Sequence, residues 1–427
     1  MSAISRCETL AMLPRMSKLL FLACLVALLA GSASAFFLHS LVWATSLRVS
    51  QPWLLFLLPL AGFAVGWVYL RYGRQVEAGN NLLIDEIHDP TRIVPLRMVP
   101  LVLWGTVMSH LFGASVGREG TAVQMGGALA DQVTHLLRLG NADRRILLMC
   151  GIAAGFASVF GTPLAGAVFA LEVLAIGRMR YDALFPSLLA AIVADQVGLG
   201  WGVQHTHYAI SQFPVLSAWT LLATLVAGAL FGLVGKLFAN STHALSALIK
   251  RHVSYAPLRP LLGGVLLVAI VWPSGAERFI GLGIPTIVDA FSQPLPVYDF
   301  AAKLGLTVLS LASGFKGGEV TPLFFIGATL GNVLSPLLHL PFSLLAGLGF
   351  VAVFAGAANT PLASTIMAME LFGSEVGIYA ALACVASYYF SGHSGIYRAQ
   401  RIAHGKHRPF PRGLRLSELA AWKRRQE

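Results

Sequence analysis

Residues 113–128 read GASVGREGTAVQMGGA, and apolar sequence flanks them on both sides. Arg118 and Glu119 therefore fall at membrane depth. A charge there costs about 2.5–3.5 kcal/mol on insertion scales, so an ionisable pair in such a place marks a functional site. Gly117, Gly120, Gly126 and Gly127 strip side chains from its surroundings. Backbone can then approach a ligand or a neighbouring helix closely. A helix starting near Glu119 would aim its free N–H groups and the positive end of its dipole at this place, which suits an anion. A carboxylate beside such a start competes with the anion for the same donors.

The rest of the chain supports a membrane setting. Of 427 residues, 56% are hydrophobic and 11% charged, against roughly 25% charged in an average soluble protein. The fold class is an all-α polytopic membrane protein. The net charge of +11 collects in the segment from Arg398 to Arg425. A basic flank of this kind marks a cytoplasmic end, and Arg6, Arg15 and Lys18 place the N-terminus on the same side. No recognition motif accompanies the charge, so nucleic acid is not an expected partner. Cys7, Cys24, Cys150 and Cys384 lie far apart and read as packing residues, not as a disulfide or metal set.

Residues 16–35 imitate a signal peptide ending in Ala33-Ser34-Ala35. The apolar run continues through Trp43, which favours a long, tilted first membrane helix over cleavage. Further spans are predicted at about 53–72, up to 112, onward to Leu137, and at 183–200, 216–239 and 257–272. Residues 146–177 read as two short helices broken at Gly161-Thr162-Pro163. Five segments between about 300 and 390 follow, several too short to cross about 30 Å of hydrocarbon. Transporters use short, Gly- and Pro-broken segments to build a site at the midplane. The expected organisation is a cytoplasmic N-terminus over 1–15, a transmembrane domain over 16–400 and a basic cytoplasmic tail over 401–427.

Three patches recur in the same order at spacings of about 200 residues. Gly79 and Asp85 match Gly283 and Asp289; Gly117, Glu119, Thr121, Gly127 and Ala128 match Gly317, Glu319, Thr321, Gly327 and Ala328. Thr162-Pro163-Leu164-Ala165 and Glu172 match Thr360-Pro361-Leu362-Ala363 and Glu370. Two structural repeats follow, over approximately 50–200 and 216–400. Repeat interfaces hold transporter substrate sites, which makes Asn80, Glu119, Glu319 and Thr321 candidates for one shared site. The pattern alone leaves open whether the repeats are inverted or parallel.

Gly117-Arg118-Glu119-Gly120 with Val123-Gln124-Met125-Gly126-Gly127 resembles the motif of CLC chloride channels and chloride/proton antiporters. Gly155 to Glu172, and Ser313-Gly314 to Gly327, resemble further family motifs, so the likeness spans roughly 50–400. The departures are specific. Gly79-Asn80-Asn81-Leu82-Leu83 stands where the family carries GSGIP. Thr121 replaces the proline after GREG, Glu319-Val320-Thr321-Pro322 replaces IFAP, and Val173 replaces the inner proton-transfer glutamate. Together they resemble the family's fluoride/proton antiporter branch.

That resemblance implies a CLC-type fold in two inverted repeats, a homodimer, and proton-coupled fluoride export giving fluoride resistance. The alternative is a chloride channel or chloride/proton exchanger of the same fold. It implies Glu119 as the gating glutamate and Asn80 as an anion contact in place of the family's central serine. Thr321 and Glu319 would face the pathway, with Glu319 serving proton or anion passage. The backbone at Gly120 and Val320 would donate to the anion, and Tyr397 would stand at the inner end of the site. A cell inner (plasma) membrane, crossed many times with both termini cytoplasmic, is the implied location. No cofactor or metal is expected, and no enzymatic activity: no HExxH, GxSxG nucleophile elbow or Walker motif is recognised.

Several residues also carry structural readings. Glu172 and Glu370 read better as helix-packing hydrogen-bonders, and Arg118 as a cap or interfacial anchor as readily as a functional cation. Asn80 and Asn81 suit turns, and Tyr397 suits an interface. His88, His205, His207 and His393 read as loop or surface residues.

Overall fold

Glycine and proline set the helix limits, and they do so twice. The computed structural model describes residues 3–425, with side chains from Leu13 onward; the side chains of Arg6 and Cys7 lie outside the described residues. The first half comprises α1 (Ala3–Ser50), α2 (Leu58–Tyr72), α3 (Asn80–His88) and α4 (Met98–Phe112). It continues with α5 (Glu119–Leu136), α6 (Asn141–Phe160), α7 (Pro163–Glu172) and α8 (Leu184–Gly200). The second half repeats the series: α9 (Ala218–His252), α10 (Leu258–Ser274), α11 (Ile284–Asp289) and α12 (Asp299–Ser313). It closes with α13 (Val320–Leu338), α14 (Phe342–Ala358), α15 (Pro361–Phe372) and α16 (Gly377–Phe390).

The stop signals match across the halves. Left-handed Gly113 ends α4 and left-handed Gly314 ends α12. Gly161 ends α6; its counterpart Asn359 ends α14 at φ 58°, a conformation that asparagine tolerates better than most residues. Proline opens both α7 and α15 at the first helical position, where its missing N–H costs nothing.

Close helix crossings depend on small residues. A Cβ on Gly126 would lie 2.2 Å from the Gly151 carbonyl oxygen, and one on Gly327 would lie 2.0 Å from that of Gly349. These contacts bring α5 onto α6 and α13 onto α14, as backbones meet in membranes, where lipid offers no hydrophobic drive to association.

The repeats are inverted. Glu172, at the end of α7, accepts from Leu362 N–H (3.1 Å) and Ala363 N–H (2.8 Å) in the first turn of α15. Glu370, near the end of α15, accepts from Leu164 N–H (2.9 Å) and Ala165 N–H (2.8 Å) in the first turn of α7. The two helices thus lie antiparallel and exchange roles. A two-fold that swaps antiparallel helices reverses the direction of each.

Two expectations change. A first repeat beginning near residue 50 omits α1, yet α1 packs on α6 and α8 as α9 packs on α14 and α16. The shared motifs lie in loops and helix starts, so α1 and α9 left no common sequence trace. The segment after residue 400 is also more than a basic tail. Arg401–Ile402 (β2) runs parallel to Ala175–Ile176 (β1) and antiparallel to Leu414–Arg415 (β3). With α17 (Leu419–Arg424) it buries Ile176, Ile402 and Leu419.

Helix α1 runs unbroken through Ala33–Ala35, with Ala35 buried. Among the described residues, five stretches are long and apolar enough to cross a membrane: Leu13–Ser50, Pro52–Tyr72, Tyr181–Gly200, Ala218–His252 and Val320–Leu338.

Candidate functional site

The halves meet where α5 and α13 begin. Gly117 N–H donates to Gly318 O (2.6 Å) and Gly318 N–H to Gly117 O (2.8 Å), a reciprocal clasp between the repeats. A side chain at Gly117 would meet Gly318 O at 2.9 Å and Glu119 Oε2 at 3.0 Å. Glycine is therefore required by space at this crossing.

Glu119 is fully buried. Its Oε2 accepts from Thr321 N–H at 3.0 Å and Arg118 N–H at 3.2 Å. Its Oε1 accepts a short hydrogen bond from the Thr321 hydroxyl. The sequence pointed to the helix starting at Glu119 as the source of donors. Instead, most of them come from α13 of the other repeat. Glu119 is the first residue of its helix, one place past the cap position. It bends back onto Arg118 N–H and reaches across to the positive end of α13. Arg118 is the cap residue itself, and its Nε stands 3.6 Å from Glu119 Oε1.

Below the clasp, Gly120 leaves room for two polar side chains. A Cβ there would lie 3.1 Å from Asn80 Nδ2 and 3.8 Å from Glu319 Oε2. Asn80 and Glu319 thus converge on Gly120, and Asn80 Oδ1 is buried without a partner among the described residues. Asn81 turns the other way and accepts from Ala399 N–H at 2.9 Å, tying α3 to the segment that carries Tyr397. Tyr397 is buried and packs edge-on against Phe169, ring centres 6.3 Å apart. Val320 is buried in the first turn of α13.

Thr121, matched to Thr321 in sequence, is displaced by one place in the structure, because α5 starts at Glu119 and α13 at Val320 and Gly120 therefore stands where Thr321 does. The hydroxyl of Thr121 pairs with Thr106 Oγ1 at 2.7 Å inside its own repeat, and its N–H donates to Arg118 O. Glu319 accordingly does not sit on α5 as Glu119 sits on α13.

Sequence reasoning missed three features. His205, expected at a loop or surface, lies in a loop but turns inward. Its side chain is 15% exposed, and its Nε2 stands 3.6 Å from Asp195 Oδ1. It joins Arg118, Glu119, Thr206, Tyr208 and Thr321 around a cavity of about 20 Å3. Arg144 of α6 binds Asp131 of α5 (2.6 Å) and Glu86 of α3 (3.2 Å), which fixes the α3 helix beneath the site. Gly113-Ala114-Ser115-Val116-Gly117 has the GxSxG spacing of a nucleophile elbow. Ser115, however, is fully buried and its hydroxyl is held by Phe279 O (2.9 Å) and Thr307 Oγ1 (2.8 Å), with no histidine on it. It braces the loop before Glu119.

Residues 61–392 match the family model described as voltage gated chloride channel. The chain belongs to the CLC family. This CLC chain is 64% identical to a "Chloride/fluoride channel protein" of Pseudomonas syringae pv. tomato, over 98% of this chain and 94% of that one. It is 27% identical to an "H(+)/Cl(-) exchange transporter ClcA" of Cronobacter sakazakii, over 83% of this chain and 82% of the relative. Its fold superposes on the crystal structure of a CLC-type fluoride/proton antiporter with TM-score 0.88 at 37% identity, covering 91% of this chain and 98% of that one. This CLC chain is a polytopic, all-α membrane protein of a family of channels and transporters.

Proposed function

We propose that this CLC chain exports fluoride in exchange for protons, with Glu119 as the gate. The observation that carries the reading is the seat of the Glu119 carboxylate on Thr321 N–H, the Thr321 hydroxyl and Arg118 N–H. These donors suit any compact anion. An ionised carboxylate only accepts, whereas its protonated form carries a donor of its own and accepts less strongly. Protonation therefore weakens the hold of this seat, and the released donors become free for a halide. Return of the charged carboxylate expels it. Proton and anion then alternate at one place without nucleotide hydrolysis.

Fluoride is small and firmly hydrated, so its site must replace lost water with several strong donors. Thr321, the Asn80 amide and backbone N–H groups at Gly120 and Val320 supply them in this reading, and Tyr397 stands at the inner end. Glu319 carries the proton or helps the anion inward, because Val173 occupies the place of the chloride exchangers' inner carboxylate. The relative named for chloride and fluoride and the likeness to a fluoride/proton antiporter support fluoride as cargo. The reading includes a homodimer in the bacterial inner (plasma) membrane with both termini cytoplasmic, and an inward proton gradient as the driving force.

Purified protein in liposomes tests it with fluoride, chloride and pH electrodes. Fluoride efflux should drive proton uptake and outpace chloride efflux. Chloride leaving as fast as fluoride would favour a chloride channel or exchanger instead.

A further inference from the structure

The cavity over Glu119 has a second titratable side chain in its wall. His205 enters from the loop after α8, and Asp195 stands behind it on that helix. The loop is held in place: a Cβ on Gly161, at φ +70°, would lie 2.6 Å from His205 Cδ2, so the imidazole rests directly on that turn. Asp195 is 7% exposed, and its other oxygen takes Gln196 Nε2 at 3.3 Å. His205 Nε2 and Asp195 Oδ1 are both buried, face each other at 3.6 Å and have no hydrogen-bond partner among the described residues. The cavity that His205 lines together with Glu119 measures about 20 Å3, room for about one water.

We propose that His205, oriented by Asp195, relays protons between the outer solution and Glu119. The inference rests on the fluoride/proton reading above. Imidazole is the side chain whose charge ordinarily changes between about pH 5 and 8. A carboxylate behind it orients the ring and fixes which nitrogen carries the proton. In the step, an N–H bond of the imidazolium breaks and its proton passes through a water in the cavity. An O–H bond forms on Glu119 and the seat on α13 is released. Neutral His205 then takes a proton from outside. The other groups around the cavity and its backing fit this assignment. Arg118 faces it from the start of α5 and Tyr208 from the same loop as His205. Glu370 on α15 is held by Leu164 N–H and Ala165 N–H.

The test uses full-length protein in liposomes, with proton uptake followed during fluoride efflux as external pH is varied. His205→Gln should slow proton uptake about tenfold at neutral external pH, less than the roughly 100-fold or more of a group acting directly on the reacting atoms. The deficit should shrink as external pH falls, because bulk protons then reach Glu119 unaided. Fluoride affinity measured by calorimetry should not change. External imidazole should restore the rate in His205→Ala, and Asp195→Asn should give a smaller deficit of the same pH form. In a Glu119→Gln background, His205→Gln should add nothing. A deficit equal at all pH values and deaf to imidazole would assign the pair a structural role and overturn the relay, as would wild-type behaviour of His205→Gln. A wild-type protein that moves fluoride without protons would sink the exchange reading and the relay together. A coupled wild type with an indifferent His205→Gln sinks the relay alone.

Discussion

Two pairs of glutamates match across the repeats in sequence, and only one pair exchanges helix-start N–H groups reciprocally. Glu172 and Glu370 each accept from two N–H groups of the other's helix, at 2.8–3.1 Å. Glu119 and Glu319, matched in sequence, stand one place apart in the folded repeats: Glu119 is the first residue of α5, whereas Glu319 is the cap residue before α13. Glu119 crosses to Thr321, while the matching Thr121 hydroxyl turns to Thr106 within its own repeat. Beside them, the Gly117–Gly318 clasp keeps the two-fold almost perfect. The backbone is therefore symmetric through this crossing, and the difference lies in the side chains it carries: Glu119 stands where Val320 does, and Gly120 where Thr321 does. A reciprocal pair has no reason to open, since each member completes the other's helix. An unreciprocated carboxylate on a helix start is one that an anion can replace.

The sharpest way to break this contrast is Glu119→Gln. The amide cannot ionise, so proton uptake during fluoride efflux should fall by at least about 100-fold, at the lower end of general acid–base contributions, with thermal stability near wild type. Coupled exchange surviving in Glu119→Gln would refute the gate. Glu172→Ala and Glu370→Ala should do the converse. Each leaves two helix-start N–H groups without an acceptor, a cost of about 2–3 kcal/mol. Both variants should lose thermal stability to a similar extent, while the folded fraction still couples protons. A large loss in only one of them would disprove their equivalence. Glu319→Gln should slow exchange about tenfold while leaving Glu119 seated, less than the roughly 100-fold or more expected of the gate itself; a normal rate would remove Glu319 from the pathway.

Much of this contrast was legible in residues. The apolar runs and their glycine and proline limits located most spans, and the matched Glu172 and Glu370 were readable as hydrogen-bonding packers. The asymmetry was not readable. Thr121 and Thr321 are the same residue type in matched sequence patches, but Thr121 is the third residue of α5 and Thr321 the second of α13, a shift of one place that the sequence match hides. The donors for Glu119 were assigned to its own helix because sequence spacing carries no information on which helix crosses the gap. Helix α9 runs on to His252 past the predicted end near 239, since polar Asn240, Ser241 and Thr242 cost little at a helix end leaving the membrane. The strands Ala175–Ile176, Arg401–Ile402 and Leu414–Arg415 are two residues each, too short for alternation to register. His205 showed only as a histidine in a polar loop, because its meeting with Asp195 depends on how that loop folds back over Gly161.

The finest test compares the two threonines. Thr321→Ala removes a hydroxyl that donates to a charged oxygen, worth about 1.5–2 kcal/mol. The seat weakens for the carboxylate and for the anion alike, since both use the same donor. Fluoride affinity measured with Glu119→Gln, where no charged rival remains, should drop more than tenfold. In the wild-type background the apparent drop should be smaller, because the carboxylate loses the same bond and competes less well. Thr121→Ala should leave fluoride affinity unchanged in both backgrounds. It strands only the buried Thr106 hydroxyl, at a cost of about 1 kcal/mol in stability. Equal effects of the two substitutions on affinity would mean that the hydroxyls play one role after all, and that the asymmetry between α5 and α13 has no part in anion binding.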